Sequence, residues 1–339
     1  MSTPAGTPAG TPTGTPTGTT DRVRVAVIGG GASCEHDVSL ASAASVADHL
    51  DPAAYDVVRL TIDPHGTWLD REGRPVGLTG AACLLRRCDV VLPVVHGPHG
   101  EDGTLAALCE LAGVPYVGSG VRAGALAMDK WTTKLVANAV GVATAPGVLL
   151  TPAGRAGHRW THPVVVKPVA AGSSHGVTLV EDPAGLDDAL AAAFALDDRV
   201  LVEDVVVGRE VDVAVLGRPD GSRVVSPALE IVVDGLFGFE EKYGGHADFR
   251  LPAAISDTER KALEDAAVAV YDALGCAGVA RVDFFLPDEV SRGPMAGPVL
   301  NEVNTMPGFT AQSQVPRMFA AAGLPYADLL DLLVRDALA

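Results

Sequence analysis

A chain of 339 residues has room for roughly two or three domains, and 48% apolar with only 5% aromatic residues points to a core of Ala, Val and Leu. The formal charge of −17 excludes a reader of nucleic-acid backbones, which needs clustered Lys and Arg, but leaves room for a nucleotide held by a few local cations. No run of about 18 uncharged apolar residues occurs, which excludes a membrane-spanning helix.

The chain opens with TPAG, TPAG, TPTG, TPTG between Thr3 and Gly18, a composition that cannot bury enough surface to offset ordering. Residues 1–21 are therefore expected to be a disordered tail. They lack the basic start and apolar middle of a secretory signal, so the chain is expected in the cytoplasm. RVRVAVIGGG, from Val23 on, predicts a buried strand entering a glycine turn, followed by a helix over Ser39 to Leu50. Further strands are predicted over Tyr55 to Ile62 and Asp89 to Val95, with a helix over Glu101 to Leu111. Strands alternating with helices imply a parallel sheet covered on both faces. The next region begins with a helix over Lys130 to Ala139 and carries strands Pro163 to Lys167 and Arg199 to Val206. The last holds strands Val211–Leu216 and Val224–Leu229, a glycine-bearing loop Gly235–His246 and a helix Thr258–Leu274. Strand Val279–Leu286, a Pro/Gly hairpin loop Pro287–Pro298, strand Val299–Val303 and helix Tyr326–Leu338 complete it. Domains are expected at 22–129, 130–210 and 211–339. Cys34, Cys83, Cys88, Cys109 and Cys276 show no paired spacing, so they are read as buried, reduced thiols rather than disulfides or zinc ligands.

Gly29, Gly30 and Gly31 follow the first strand, but a GxGxxG turn counted from Gly29 would need Gly where Cys34 stands. Ser33, Glu35, His36 and Asp37 lie behind them, at the strand end where open α/β sheets bind ligands. Glu35 can be read there as a ligand-facing acid or as a solvated loop acid. HGPHGEDG, from His96 to Gly103, again follows a strand and has the make-up of a ligand loop, although Asp102 or Thr104 could equally cap the next helix. Lys167 ends a strand before AGSSHG (171–176), a cationic and N–H-rich setting suited to phosphate. Asp283 sits in the apolar VARVDFFL, and Glu302 and Asn304 share a face of LNEVN. Two carboxylates and an amide oxygen form the hard-oxygen set that Mg²⁺ takes beside nucleotide phosphates; a buried Arg281–Asp283 salt bridge is the alternative.

In order along the chain, CEHDVSL (34–40), HGPHGEDGTL (96–105), PYVGSG (115–120), AMDK (127–130), KPVAAGSSHG (167–176), EKY (241–243), ARVDFF (280–285) and NEVNTMPGFT (301–310) resemble the D-alanine–D-alanine ligases of the ATP-grasp superfamily. The resemblance covers everything but the tail. It implies an α/β, three-domain ATP-grasp fold with an N-terminal parallel-sheet domain and ATP held between the other two. By that resemblance Lys130 and Lys167 contact ATP phosphates, Glu203, Asp204, Val205 and Val206 line the adenine, and Glu210 takes the ribose hydroxyls. Lys242 adds charge at the γ-phosphate. Asp283, Glu302 and Asn304 hold two Mg²⁺ ions, which Mn²⁺ can replace. Tyr243, Ser173 and Glu35 form a hydrogen-bonded trio, with Glu35 binding the ammonium of the first D-alanine and His96 nearby. Arg281 and the Gly308 N–H hold the oxyanion, and Ser313 with its neighbour Gln314 receives the second amino acid.

The implied reaction is ATP-dependent joining of two D-alanines through an acyl phosphate, for peptidoglycan precursors, in a homodimer without nucleic-acid or membrane partners. Two departures from the family pattern stand out: His175 in the glycine loop, and Gln314 where an apolar residue is usual. Gln314 and the phenylalanines of LFGFEEKY keep D-alanyl-D-serine formation open as an alternative. Gly235–His246 is expected to act as a lid that excludes water.

Overall fold

The computed structural model describes residues 22–232, 248–287 and 297–339, and their strands assemble into three sheets. The first has the order β3-β2-β1-β4, with β1 Val23–Gly30, β2 Tyr55–Ile62, β3 Trp68–Leu69 and β4 Val90–Pro93. β1 runs parallel to both neighbours, with Val25 opposite Val57 on one side and Val90 on the other. Its residues from Val25 onward are all buried, as expected of a β-branched strand covered on both faces. Helix α1 (His36–His49) approaches β1 closely because its contact residues are small. A Cβ on Gly29 would stand 2.5 Å from the Ala43 Cβ, and buried Ser39 accepts the Gly30 N–H at 2.8 Å. Helices α2 (Gly77–Leu85) and α3 (Thr104–Ala112) cover the opposite face.

The second sheet is antiparallel, in the order β6-β9-β7-β8: β6 Gly147–Leu150, β7 Val164–Pro168, β8 Thr178–Val180 and β9 Val200–Asp204. Helix α6 (Leu186–Phe194) lays Leu186, Ala189 and Leu190 on Val164, Val166, Val180, Val200 and Val202, a cluster separate from the other cores.

The third and largest sheet runs β13-β12-β10-β14-β15-β5, with β11 on the side of β10. Its strands are β5 Ala143–Thr144, β10 Gly208–Gly217, β11 Arg223–Val225, β12 Leu229–Val232, β13 Asp248–Arg250, β14 Val279–Pro287 and β15 Val299–Asn304. One face is covered by α4 (Val121–Met128), α5 (Lys130–Ala139) and α7 (Asp257–Leu274). A Ser256–Glu259 capping box starts α7 and Gly275, in the left-handed region, ends it. The other face meets α8 (Gln314–Ala321) and α9 (Tyr326–Leu338), whose Phe319, Leu330 and Val334 share one core with Val25 and Val90 of the first sheet.

The strand expected at Val224–Leu229 is divided into β11 and β12; Pro227, lying between them, has no N–H to continue a ladder. The cysteine expectation is corrected in two places: Cys88, Cys109 and Cys276 are buried, whereas Cys34 and Cys83 are exposed. Cys34 follows a glycine turn, and Cys83 sits on the solvent side of α2. Among the described residues no helix is long and apolar enough to cross a membrane. The loop Gly235–His246 and most of Pro287–Pro298 lie outside the described residues, as do Lys242, Tyr243 and the tail.

Candidate active site

The second and third sheets face each other across a cavity of 540 Å³. Lys130, Lys167, Glu203, Asp204, Val205, Val206, Glu210 and Glu302 all line it, together with Ser174 and His175 from the glycine loop. The reason is local. Lys167 lies at the end of β7, Glu203 and Asp204 end its antiparallel neighbour β9 with Val205 and Val206 just beyond, and Glu210 lies near the start of β10. Lys134, which the motifs did not single out, joins them one helical turn after Lys130. Its ammonium nitrogen is 2.5 Å from Glu203 Oε1, while the Lys167 Nζ is 2.6 Å from Glu203 Oε2. Burial works to raise the Glu203 carboxyl, but Lys167 and Lys134 together hold it below the usual range. For Lys134 burial wins over the pull of Glu203 and pushes the ammonium down to about 8.

A smaller cavity of 30 Å³ adjoins the first, and Lys130, Ala171 and Glu302 border both. Its other walls include Glu35, Gly97, Glu101, Gly172 and Asn304. Lys130 donates to the Ala171 carbonyl at 2.7 Å and lies 3.2 Å from Glu302 Oε2. Glu35 is buried, not a solvated loop acid, and the Ser173 hydroxyl donates to its Oε1. Ser173 and Ser174 have φ of 50° and 56°, left-handed values that non-glycine residues adopt only where the surroundings impose them. Gly172 lets this loop close on Glu35: a Cβ there would stand 2.5 Å from Glu35 Oε2.

His96 is 3% exposed, with Nδ1 2.8 Å from the Met306 carbonyl oxygen and Nε2 3.3 Å from the Ser42 hydroxyl. Burial lowers its pKa, so the ring stays neutral and ties the first sheet to the turn after β15. Glu101 accepts the Gly97 N–H at 2.8 Å; burial, then the neighbouring Glu35, pushes its carboxyl up to about 8. Nothing in the sequence singles out this acid, although its HGPHGEDG loop stands out.

Arg281 and Asp283, two apart on β14, make both fork hydrogen bonds at 2.7 Å, so the salt-bridge alternative is present. The same Asp283 stands opposite Glu302 in the β14–β15 register and accepts from Asn304 Nδ2 at 3.1 Å. The two readings are therefore not exclusive. Among the described residues no group of three or more His, Cys, Asp or Glu could hold a metal. Two carboxylates with the Asn304 carbonyl oxygen suit a hard cation that takes its remaining ligands from phosphate. Gly308, Ser313 and Gln314 line neither cavity. Ser313 precedes α8 without capping it through its side chain, its Oγ instead accepting the Thr310 N–H at 3.0 Å, and Gln314 is half-buried beside it.

Two family models match: the D-ala D-ala ligase N-terminus over residues 24–83 and 75–119, and the D-ala D-ala ligase C-terminus over 139–335. The chain belongs to the D-alanine–D-alanine ligase family. Among relatives, the D-alanine–D-alanine ligase of Nocardia farcinica is 42% identical, covering 94% of this chain and 98% of that one. That of Mycolicibacterium vanbaalenii is 41% identical with the same coverage. Among solved structures, the VanG D-Ala:D-Ser ligase from Enterococcus faecalis superposes with a TM-score of 0.81 at 33% identity, over 94% of this chain and 100% of that one. The D-alanine–D-alanine ligase from Coxiella burnetii gives 0.77 at 32%, over 94% of each. The architecture is accordingly the three-sheet ATP-grasp fold of this ligase family.

Proposed function

We propose that the protein joins two D-alanines into D-alanyl-D-alanine with consumption of ATP, for peptidoglycan precursors. The observation that carries this reading is the wall shared by the two cavities: Lys130 and Glu302 border both the nucleotide-sized cleft and the small polar cavity that holds Glu35. Curated relatives named as D-alanine–D-alanine ligases at about two-fifths identity favour D-alanine over D-serine as the second substrate.

In this reading the adenine lies along Glu203, Asp204, Val205 and Val206, the ribose meets Glu210, and the phosphates meet Lys130, Lys167 and Lys242. Asp283, Glu302 and Asn304 hold two Mg²⁺ ions, replaceable by Mn²⁺, which when bound neutralise charge on the transferring phosphoryl group. Glu35 anchors the ammonium of the first D-alanine, aiming its carboxylate at the γ-phosphate; Ser173 and Tyr243 hold Glu35, and His96 keeps the adjoining turn in place. The resulting acyl phosphate is open to the amine of the second D-alanine, whose carboxylate is received beside Ser313 and Gln314. Arg281 and the Gly308 N–H then face the oxyanion of the tetrahedral intermediate. Acyl phosphates hydrolyse readily, so water must be kept out while the intermediate stands. The same reading places the protein in the cytoplasm as a homodimer, with units at 22–129, 130–210 and 211–339, α5 and β5 reaching from the second into the third.

The test is Glu302→Gln. It should abolish D-alanine-dependent ADP formation while the circular dichroism spectrum stays that of the wild type. Near-normal turnover at ordinary magnesium would overturn the assignment.

A further inference from the structure

Asp212 completes a grid that the reaction as read above does not use. Across β10, β14 and β15, Asp212, Asp283 and Glu302 stand in one row, and Ala214, Arg281 and Asn304 in the next. Residues opposite each other in antiparallel strands share a face, so three carboxylates and one guanidinium meet on one patch. Ala214 is the small member: it leaves space beside Arg281, whose Nε comes within 3.4 Å of Asp212 Oδ2. Asp212 is completely buried, and the Arg281 side chain is 13% exposed.

Asp283 carries two demands. Here both of its oxygens accept from Arg281. As a cation ligand it must turn oxygen toward the ion, which loosens that fork. A buried guanidinium deprived of its carboxylate is costly, and ion binding would bear that cost. We propose that Asp212 is a positioning residue that keeps Arg281 paired and aimed when a divalent cation occupies Asp283, leaving the guanidinium charged and pre-oriented for the oxyanion. The proposal rests on the reading of Asp283, Glu302 and Asn304 as cation ligands. It explains why an acid is buried at a position that makes no contact with the nucleotide cavity: Asp212 is absent from the cavity wall that its strand neighbour Glu210 lines.

The experiment measures Mn²⁺ binding by electron paramagnetic resonance of the free ion, with a non-hydrolysable ATP analogue present, in wild type, Asp212→Asn, Asp212→Glu and Asp283→Asn. Asp212→Asn keeps the shape and removes the charge. It should weaken Mn²⁺ binding about tenfold and lower kcat while leaving the KM for ATP near that of the wild type. Asp212→Glu, which restores the charge, should recover most of the Mn²⁺ affinity. Metal-free melting temperatures of all four identify any variant that fails to fold, and the Asp212→Glu comparison then decides. Mn²⁺ binding unchanged in Asp212→Asn but lost in Asp283→Asn overturns the role of Asp212 alone. Unchanged binding in Asp283→Asn overturns the cation reading, and this proposal with it.

Discussion

Replacing Lys134 by Met should stabilise the nucleotide-free protein, although it deletes one arm of a buried ion pair. Methionine keeps a long unbranched stem on the α5 face, so packing changes little. The sign then depends on charge. Burial lowers the Lys134 ammonium from its ordinary value of 10.5 to about 8, despite Glu203 at 2.5 Å. Every tenfold change in a protonation equilibrium is worth about 1.4 kcal/mol, so the charged form costs about 3 kcal/mol at neutral pH. Glu203 is not orphaned by the change, because the Lys167 Nζ remains 2.6 Å from its other oxygen.

The pH dependence follows from this lowered pKa. Below pH 8 the lysine is protonated in folded and unfolded chains alike, and the full cost applies. Between pH 8 and 10.5 the folded protein holds the neutral amine while the unfolded chain stays charged, so the cost fades. Urea denaturation without nucleotide should therefore find Lys134→Met more stable by about 1–3 kcal/mol at pH 7, allowing for partial loss of packing, with the gap narrowing by pH 10. ATP affinity should fall, since a cation has left the wall of the 540 Å³ cavity. A variant less stable than wild type at pH 7, with a difference that does not move by pH 10, would refute the reasoning.

Gly172→Ala should drive its new methyl into Glu35 Oε2, raising the KM for D-alanine about tenfold or more with the KM for ATP little changed; equal D-alanine kinetics would show that Glu35 can move aside freely. Glu101, held at about 8, retains its proton in the folded state while the unfolded chain loses it above its ordinary 4.5. Its contribution to stability is full below pH 4.5 and lost as pH rises through 8, so Glu101→Gln should gain on the wild type between pH 5 and pH 8 in thermal melts, and a constant difference would contradict a raised Glu101 pKa.

Much of the cleft was legible because it uses strand ends. Lys167 closes an apolar strand beside a glycine loop, where a cation has few structural uses, whereas Glu203 was implied by the family resemblance alone. Asp283 was legible for a related reason, as an acid inside VARVDFFL. The same reasoning applied to REVDVAVLG would have found Asp212, two residues beyond Glu210, and an i, i+4 reading of KWTTK would have found Lys134 beside Lys130. What the sequence could not convey is which sheet each helix covers. Helix α5 follows the first region in the chain yet packs on the third sheet, with Ala137 against the core of α7. Such choices are made by long-range packing, and so is the burial of Glu101, which depends on how closely the 97–101 turn folds back. The exposed Cys34 and Cys83 show the converse: composition favours burial of a thiol, but position on a turn or an outer helix face decides it.

The last two helices have a consequence for synthesis. Val25 and Val90 find their packing partners in Phe319, Leu330 and Val334, so these two strands wait on the ribosome for residues made long after them before their shared core can close. The second sheet needs no such wait, because its cluster of Val164, Leu190 and Val202 is drawn from one short stretch of chain. The order of folding therefore differs from the order of translation: the second sheet can settle first, and the segments on either side of it in the chain are joined only after both have been made.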